Sequence, residues 1–231
     1  MDAFISFHAP GFWLVIALLA GVVALGVRPY LRSAIRLWVM VGYWVLIPYL
    51  ALITGGVSPR LMGFQHIDWV SSLQFGIGLA LGMVGLAVVA RVTLLAGAKN
   101  RTPVSTSFPS DRWLLIVAAF ALSGAEEWFW CFLRSAVSEV LWMLQLPLDV
   151  PAYWSVWIAA ALAMPFALAA QSTALERLVK ASILAMTSIL FFYTYNFWLC
   201  WAVHAIVWLL LAQPTPNASA DESAPLTGRS L

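Results

Sequence analysis

Seven stretches of this chain are almost wholly apolar, and short polar segments separate them. They cover residues 11–27, 37–54, 69–90, 113 to about 142, 153–170, 181–195 and 197–212. Lipid offers no partner to a bare N–H or C=O, so a run of about 20 apolar residues is expected to cross a bilayer as a helix. Ten-residue segments of alternating polarity, which would mark a membrane β-barrel, are not seen. The pattern predicts an all-α fold, a polytopic transmembrane bundle of about seven spans.

The polar segments divide the chain. Residues 1–96 hold three spans, and 97–112 form a loop rich in Ser, Thr and Pro. Residues 113–212 hold four more spans, and 213–231 form a low-complexity tail expected to be disordered. The start of the chain has no basic segment before its apolar run and no clear cleavage site, so it reads as a retained first span. An outside N-terminus and an inside C-terminus would place ten of the twelve Lys and Arg residues on the inner side, leaving Arg60 and Arg134 elsewhere. The sequon at Asn217 would then lie inside, unmodified.

Composition strengthens this picture. The chain is 63% hydrophobic and 10% charged, with a mean hydropathy of +0.90. A water-facing surface carries far more charge. The net charge of +2 is too small to argue for nucleic acid. The expected partners are the lipid bilayer and other membrane proteins, and the expected location is a bacterial inner membrane. Cys131 and Cys200 sit in apolar runs and read as buried free thiols. Most tryptophans, such as Trp69, Trp113, Trp154 and Trp198, lie near span ends, where indoles favour the interface. Gly78 and Gly82, with Gly85 beyond, read as a close helix-packing step. His8 and His66 read as solvated, and Arg91 as reaching to the interface.

Ionisable groups inside a span are costly, by about 2.5–3.5 kcal/mol for a central charge, and so become functional candidates. Here they are Glu126, Glu127 and His204. Adjacent carboxylates in a low dielectric resist joint ionisation, which suits one of them to general-base work with a histidine as second proton-transfer group. Equally, a buried Glu–His or Glu–Arg pair can simply pin helices together. Three ligands for zinc are not evident, and no metal or other cofactor is expected. Position 170 is set to face Glu127 across an antiparallel pair of spans, whereas His204 lies shallow in the last span.

Three segments together resemble the CPBP family of intramembrane proteases, also called the CAAX protease and bacteriocin-processing family. Glu126-Glu127 is similar to the family's Glu-Glu-x-x-x-Arg pair, residues 157–171 to its Phe-x-x-x-His helix, and residues 190–210 to its last motif with His-x-x-x-Asn. The resemblance covers about residues 113–212. It implies a glutamate-activated water, with histidines and Asn binding that water or the oxyanion. Three positions depart from the pattern. Cys131 stands at the Arg position with Arg134 the nearest substitute, Ala170 and then Gln171 stand at the His position, and Trp208 stands at the Asn position.

Two readings follow. One is an active endopeptidase using Glu126, Glu127 and His204, with Gln171 as a replacement donor. The other, favoured here, is a family member with weak or no proteolysis, kept as a scaffold or accessory subunit of a membrane complex. A single oxyanion donor is worth about 10²–10³ in rate, so the missing residues weigh heavily. A pigment- or quinone-binding subunit and a small transporter are further alternatives. No repeat between the halves supports the transporter, and Pro48 and Pro165 do not occupy corresponding places.

Overall fold

The computed structural model describes residues 6–98, 112–169, 171 and 174–211. Among these, seven α-helices form and no strand: α1 (Pro10–Val27), α2 (Ser33–Ile53), α3 (Trp69–Ala98), α4 (Arg112–Leu144), α5 (Pro151–Ala169), α6 (Ala174–Thr194) and α7 (Phe197–Leu211). The first six are long and apolar enough to cross a membrane, and α7 is apolar but only 15 residues long. The protein is an all-α membrane bundle. Each predicted span corresponds to one helix. Position 170, most of the polar loop and the tail from residue 213 lie outside the described residues.

Local chemistry sets the helix ends. Pro10 opens α1, where its missing N–H costs nothing. At the end of α2 the N–H groups of Gly55 and Gly56 turn back to the carbonyls of Leu52 and Ala51, with Gly55 at φ +72°. This is a Schellman ending, and it needs a residue without Cβ. Asp68 caps α3 by accepting from the Ser71 N–H at 3.1 Å, and Asn196 caps α7 by accepting from the Leu199 N–H at 3.2 Å.

The 33-residue α4 is the axis of the bundle, packed against α1, α2, α5 and α7. α3 joins from the side through α6 and α7. Contacts therefore run between the first three helices and the last four. Alternating helix directions gather ends: Arg28 donates to the Ala169 carbonyl, and Arg91 to the Leu210 carbonyl at 2.7 Å. At the opposite end the α2–α3 loop closes over the α6–α7 turn. There the Phe197 N–H donates to the Gly63 carbonyl at 3.2 Å. A Cβ on Gly63, at φ +79°, would stand 2.8 Å from the Tyr195 carbonyl oxygen.

That closure sets where α7 begins. Asn196 is fully buried and Phe197 nearly so, which places the start of α7 inside the bundle rather than at its surface. The fifteen described residues of α7 rise only about 22 Å, less than the roughly 30 Å of a bilayer core. The irregular turn at this depth is tolerated because protein, not lipid, surrounds it.

Two sequence expectations need correction. Lys180, expected in an inner loop, lies within α6 and is buried. The apolar window starts at position 181, but the helix starts seven residues earlier at Ala174. Gly78, Gly82 and Gly85 mediate no packing among the described residues, since a Cβ on any of them would meet only open space. Gly76 takes that role instead, lying against the Leu199 side chain. Other expectations hold. Cys131 and Cys200 are buried free thiols, and His8 and His66 are exposed.

Candidate functional site

Glu127, Cys131 and Arg134 fall at i, i+4 and i+7 of α4, a spacing that keeps them on one helical face. That face is buried. Helical side chains lean toward the N-terminus, so the long Arg134 side chain reaches back along α4 to Glu127. Its Nη1 lies 2.8 Å from Glu127 Oε1. Its Nη2 donates to Thr187 Oγ1 and Ser188 Oγ of α6, both at 3.3 Å, and its guanidinium lies 4.9 Å from the centre of the Phe191 ring. Cys131, at the place where the resemblance would put Arg, lies beneath this pair with its Sγ 3.5 Å from Arg134 Nη1. Arg134 thus supplies a cation to Glu127 from a position three residues further on.

Glu126 points about 100° away around α4, toward α6. There Lys180 Nζ meets its Oε2 at 2.5 Å. The same ammonium lies 5.9 Å from the centre of the Trp130 ring. His204 comes from α7 between the two carboxylates. Its Nδ1 is 3.3 Å from Glu127 Oε2, and its Nε2 is 3.6 Å from Glu126 Oε2 with no hydrogen-bond partner. The imidazole stacks on Trp130, with centroids 4.9 Å apart and planes 11° from parallel. Glu126, Glu127 and His204 therefore converge, although His204 is only seven residues into its helix. The sunken α6–α7 turn makes up the depth.

The whole cluster is enclosed. Exposure is 0% for Glu127 and His204, 2% for Arg134, 5% for Glu126 and 8% for Lys180. With a neutral imidazole the charges balance, two carboxylates against one guanidinium and one ammonium. Repulsion between neighbouring carboxylates, which suggested that one should hold a proton, is offset because each faces its own cation. Three helices are tied at this point: α4 to α6 through the Glu126–Lys180 ion pair and the Arg134 hydrogen bonds to Thr187 and Ser188, and α4 to α7 through His204.

Gln171 stands in the α5–α6 connection, its carbonyl accepting from Arg177 Nε at 3.4 Å. Trp208 is half-buried on α7, one turn beyond His204. Sequence reasoning missed Lys180, Thr187, Ser188 and Trp130. On α6, Lys180, Leu184, Thr187, Ser188 and Phe191 are all buried. Their spacing of i, i+4, i+7, i+8 and i+11 is a helical stripe, the one signal that could have placed Lys180 in the interior.

The arrangement can hold charge in a low dielectric, and it can hold helices together. Among the described residues no three His, Cys, Asp or Glu side chains are placed to bind a metal ion. No family model, curated protein or solved structure matches the chain.

Proposed function

We propose that this protein is a degenerate relative of the CPBP intramembrane proteases that acts as a membrane scaffold or accessory subunit, with proteolysis weak or absent. One observation carries the reading. Both carboxylates are clasped by buried cations, Glu126 by Lys180 at 2.5 Å and Glu127 by Arg134 at 2.8 Å. A general base must present a free lone pair to a water within hydrogen-bond reach. Carboxylates spent on ion pairs and on His204 do so poorly, while Glu126 with Lys180 joins α4 to α6 and Glu127 with His204 joins α4 to α7. General-base help alone contributes about 10²–10⁴-fold, little beside what amide hydrolysis demands.

The location that goes with this proposal is a bacterial inner membrane, with the N-terminus outside and the C-terminus inside. The basic side chains at one end of the bundle, Arg28, Arg91 and Arg177, would mark the inner side. Reporter fusions at position 105 and in the tail should both report the inner side, and opposite sides would overturn this topology.

One feature favours the second reading, an active glutamate endopeptidase. His204 Nε2 is an unpartnered buried polar atom facing Glu126 Oε2 across 3.6 Å, a gap where a water could enter after a small movement. The test compares cleavage of membrane-anchored peptides by wild type, Glu127→Ala and His204→Ala, alongside thermal unfolding. The scaffold reading expects no cleavage from any of the three and a clear loss of stability in Glu127→Ala. Robust wild-type cleavage lost in either variant restores the enzyme.

A further inference from the structure

On the flank of the bundle α3, α6 and α7 leave a groove of about 280 Å³ between them. Ala87 and Ala90 of α3, Val179 and Ile183 of α6, and Val207 and Leu211 of α7 form much of its wall. The volume sits at the bottom of the ligand-pocket range of about 300–1,000 Å³, and the wall is almost entirely carbon. That suits one alkyl chain better than a ring system or a polar metabolite. The groove opens to the outside of the bundle, where Leu86 and Leu178 on its rim are exposed.

One end of the groove is basic. The end of the apolar span of α3, the last described turn of α7 and the first turns of α6 meet there, at Ala90, Leu211 and Leu178. Arg91 follows Ala90 directly. Its Nη1 is held by the Leu210 carbonyl at 2.7 Å, which fixes the guanidinium at the groove end with further N–H donors in its planar fork. Arg177 directly precedes Leu178 and is exposed. The positive end of the α6 dipole adds to them. Glu176 lies in the same turn of α6, and Arg91 and Arg177 together leave this end net basic.

We propose that the groove is a binding site for an anionic phospholipid, with one acyl chain between α3, α6 and α7 and the phosphate at Arg91 and Arg177. The apolar wall and the basic end are complementary to the two halves of such a molecule. A basic pocket between transmembrane helices at one membrane face is the setting in which anionic headgroups are held. This site is separate from the Glu–Lys–His cluster, and it stands whether or not the protein cleaves peptides.

The test uses the full chain in neutral detergent. Phosphatidylglycerol is titrated against phosphatidylcholine of the same acyl chains and against inorganic phosphate, with thermal unfolding and native mass spectrometry as readouts. Phosphatidylglycerol should raise the unfolding temperature saturably and remain bound as one retained lipid, because a ligand that binds only the native state stabilises it. Phosphatidylcholine should act much more weakly, and inorganic phosphate not at all. Arg177→Gln and Arg91→Gln should each weaken phosphatidylglycerol binding roughly fivefold, the effect of about one basic contact. Ser182→Phe, which places a ring in the groove, should abolish retention. Arg91 also caps α7, so its variant could fold poorly, and Arg177→Gln and Ser182→Phe then decide. Equal response to the two lipids, equal response to inorganic phosphate, or lipid retention that survives Arg177→Gln and Ser182→Phe would overturn the proposal.

Discussion

α3 and α4 are both long, apolar helices, yet they live in different surroundings. α4 runs almost unbroken in burial from Ala125 to Leu141, and this stretch carries Glu126, Glu127 and Arg134. α3 is chiefly lipid-facing: Val70, Phe75, Leu81, Leu86 and Val89 are exposed, and its glycines at 78, 82 and 85 face open space. In water, greasy residues mark the interior. In a bilayer they do not, because lipid tails are as apolar as leucine. Here the interior is marked by polar side chains that must find partners, and by the rings packed around them.

That contrast can be sharpened by substitution. The largest effect should follow from Glu127→Ala, which strands the buried Arg134 guanidinium. Breaking a buried pair from one side costs about 3–5 kcal/mol, to be read by equilibrium unfolding in detergent. Gly63→Ala should come next, at about 1–3 kcal/mol, because its positive φ and the Tyr195 carbonyl both resist a Cβ. Asn196→Ala should cost about 1 kcal/mol through loss of the α7 cap. On α3, Gly82→Ala should cost nothing and gain up to about 1 kcal/mol, since a Cβ there meets only open space and a helical glycine is replaced. A loss on α3 comparable to that of Glu127→Ala would break the comparison.

The smallest effect concerns pH. Asp68 lies at the exposed start of α3, and its hydrogen bonds from Ser71 hold the carboxyl below its usual value. The folded form therefore favours the ionised cap. Its contribution is present above the ordinary carboxylate range and fades as pH falls through the lowered value. Hydrogen exchange at the Ser71 amide should quicken on acidification beyond the intrinsic trend, and a pH-independent protection would contradict the cap.

Much of this was legible in the sequence. Apolar runs located all seven helices, and the cost of intramembrane charge singled out Glu126, Glu127 and His204, which do meet. Lys180 escaped because Glu176, Arg177 and Lys180 together end a hydropathy window, whereas the helix and the bundle continue past them. The glycine step in α3 misled for the opposite reason: a small-residue spacing states that a partner could fit, not that one is there. The depth of His204 was illegible because it depends on the loop at Gly63 closing over Asn196, far away in the chain.

On this reading the buried charges fasten α4, α6 and α7 to one another. A double-mutant cycle on Glu126→Gln and Lys180→Met, the ion pair that joins α4 to α6, read by equilibrium unfolding of the full chain, measures that pairing directly. The double variant should lose far less stability than the sum of the singles, with a coupling at the upper part of the roughly 0.5–3 kcal/mol range seen for contacting residues. Additive losses would show that the two side chains do not stabilise the bundle through each other, and would contradict it.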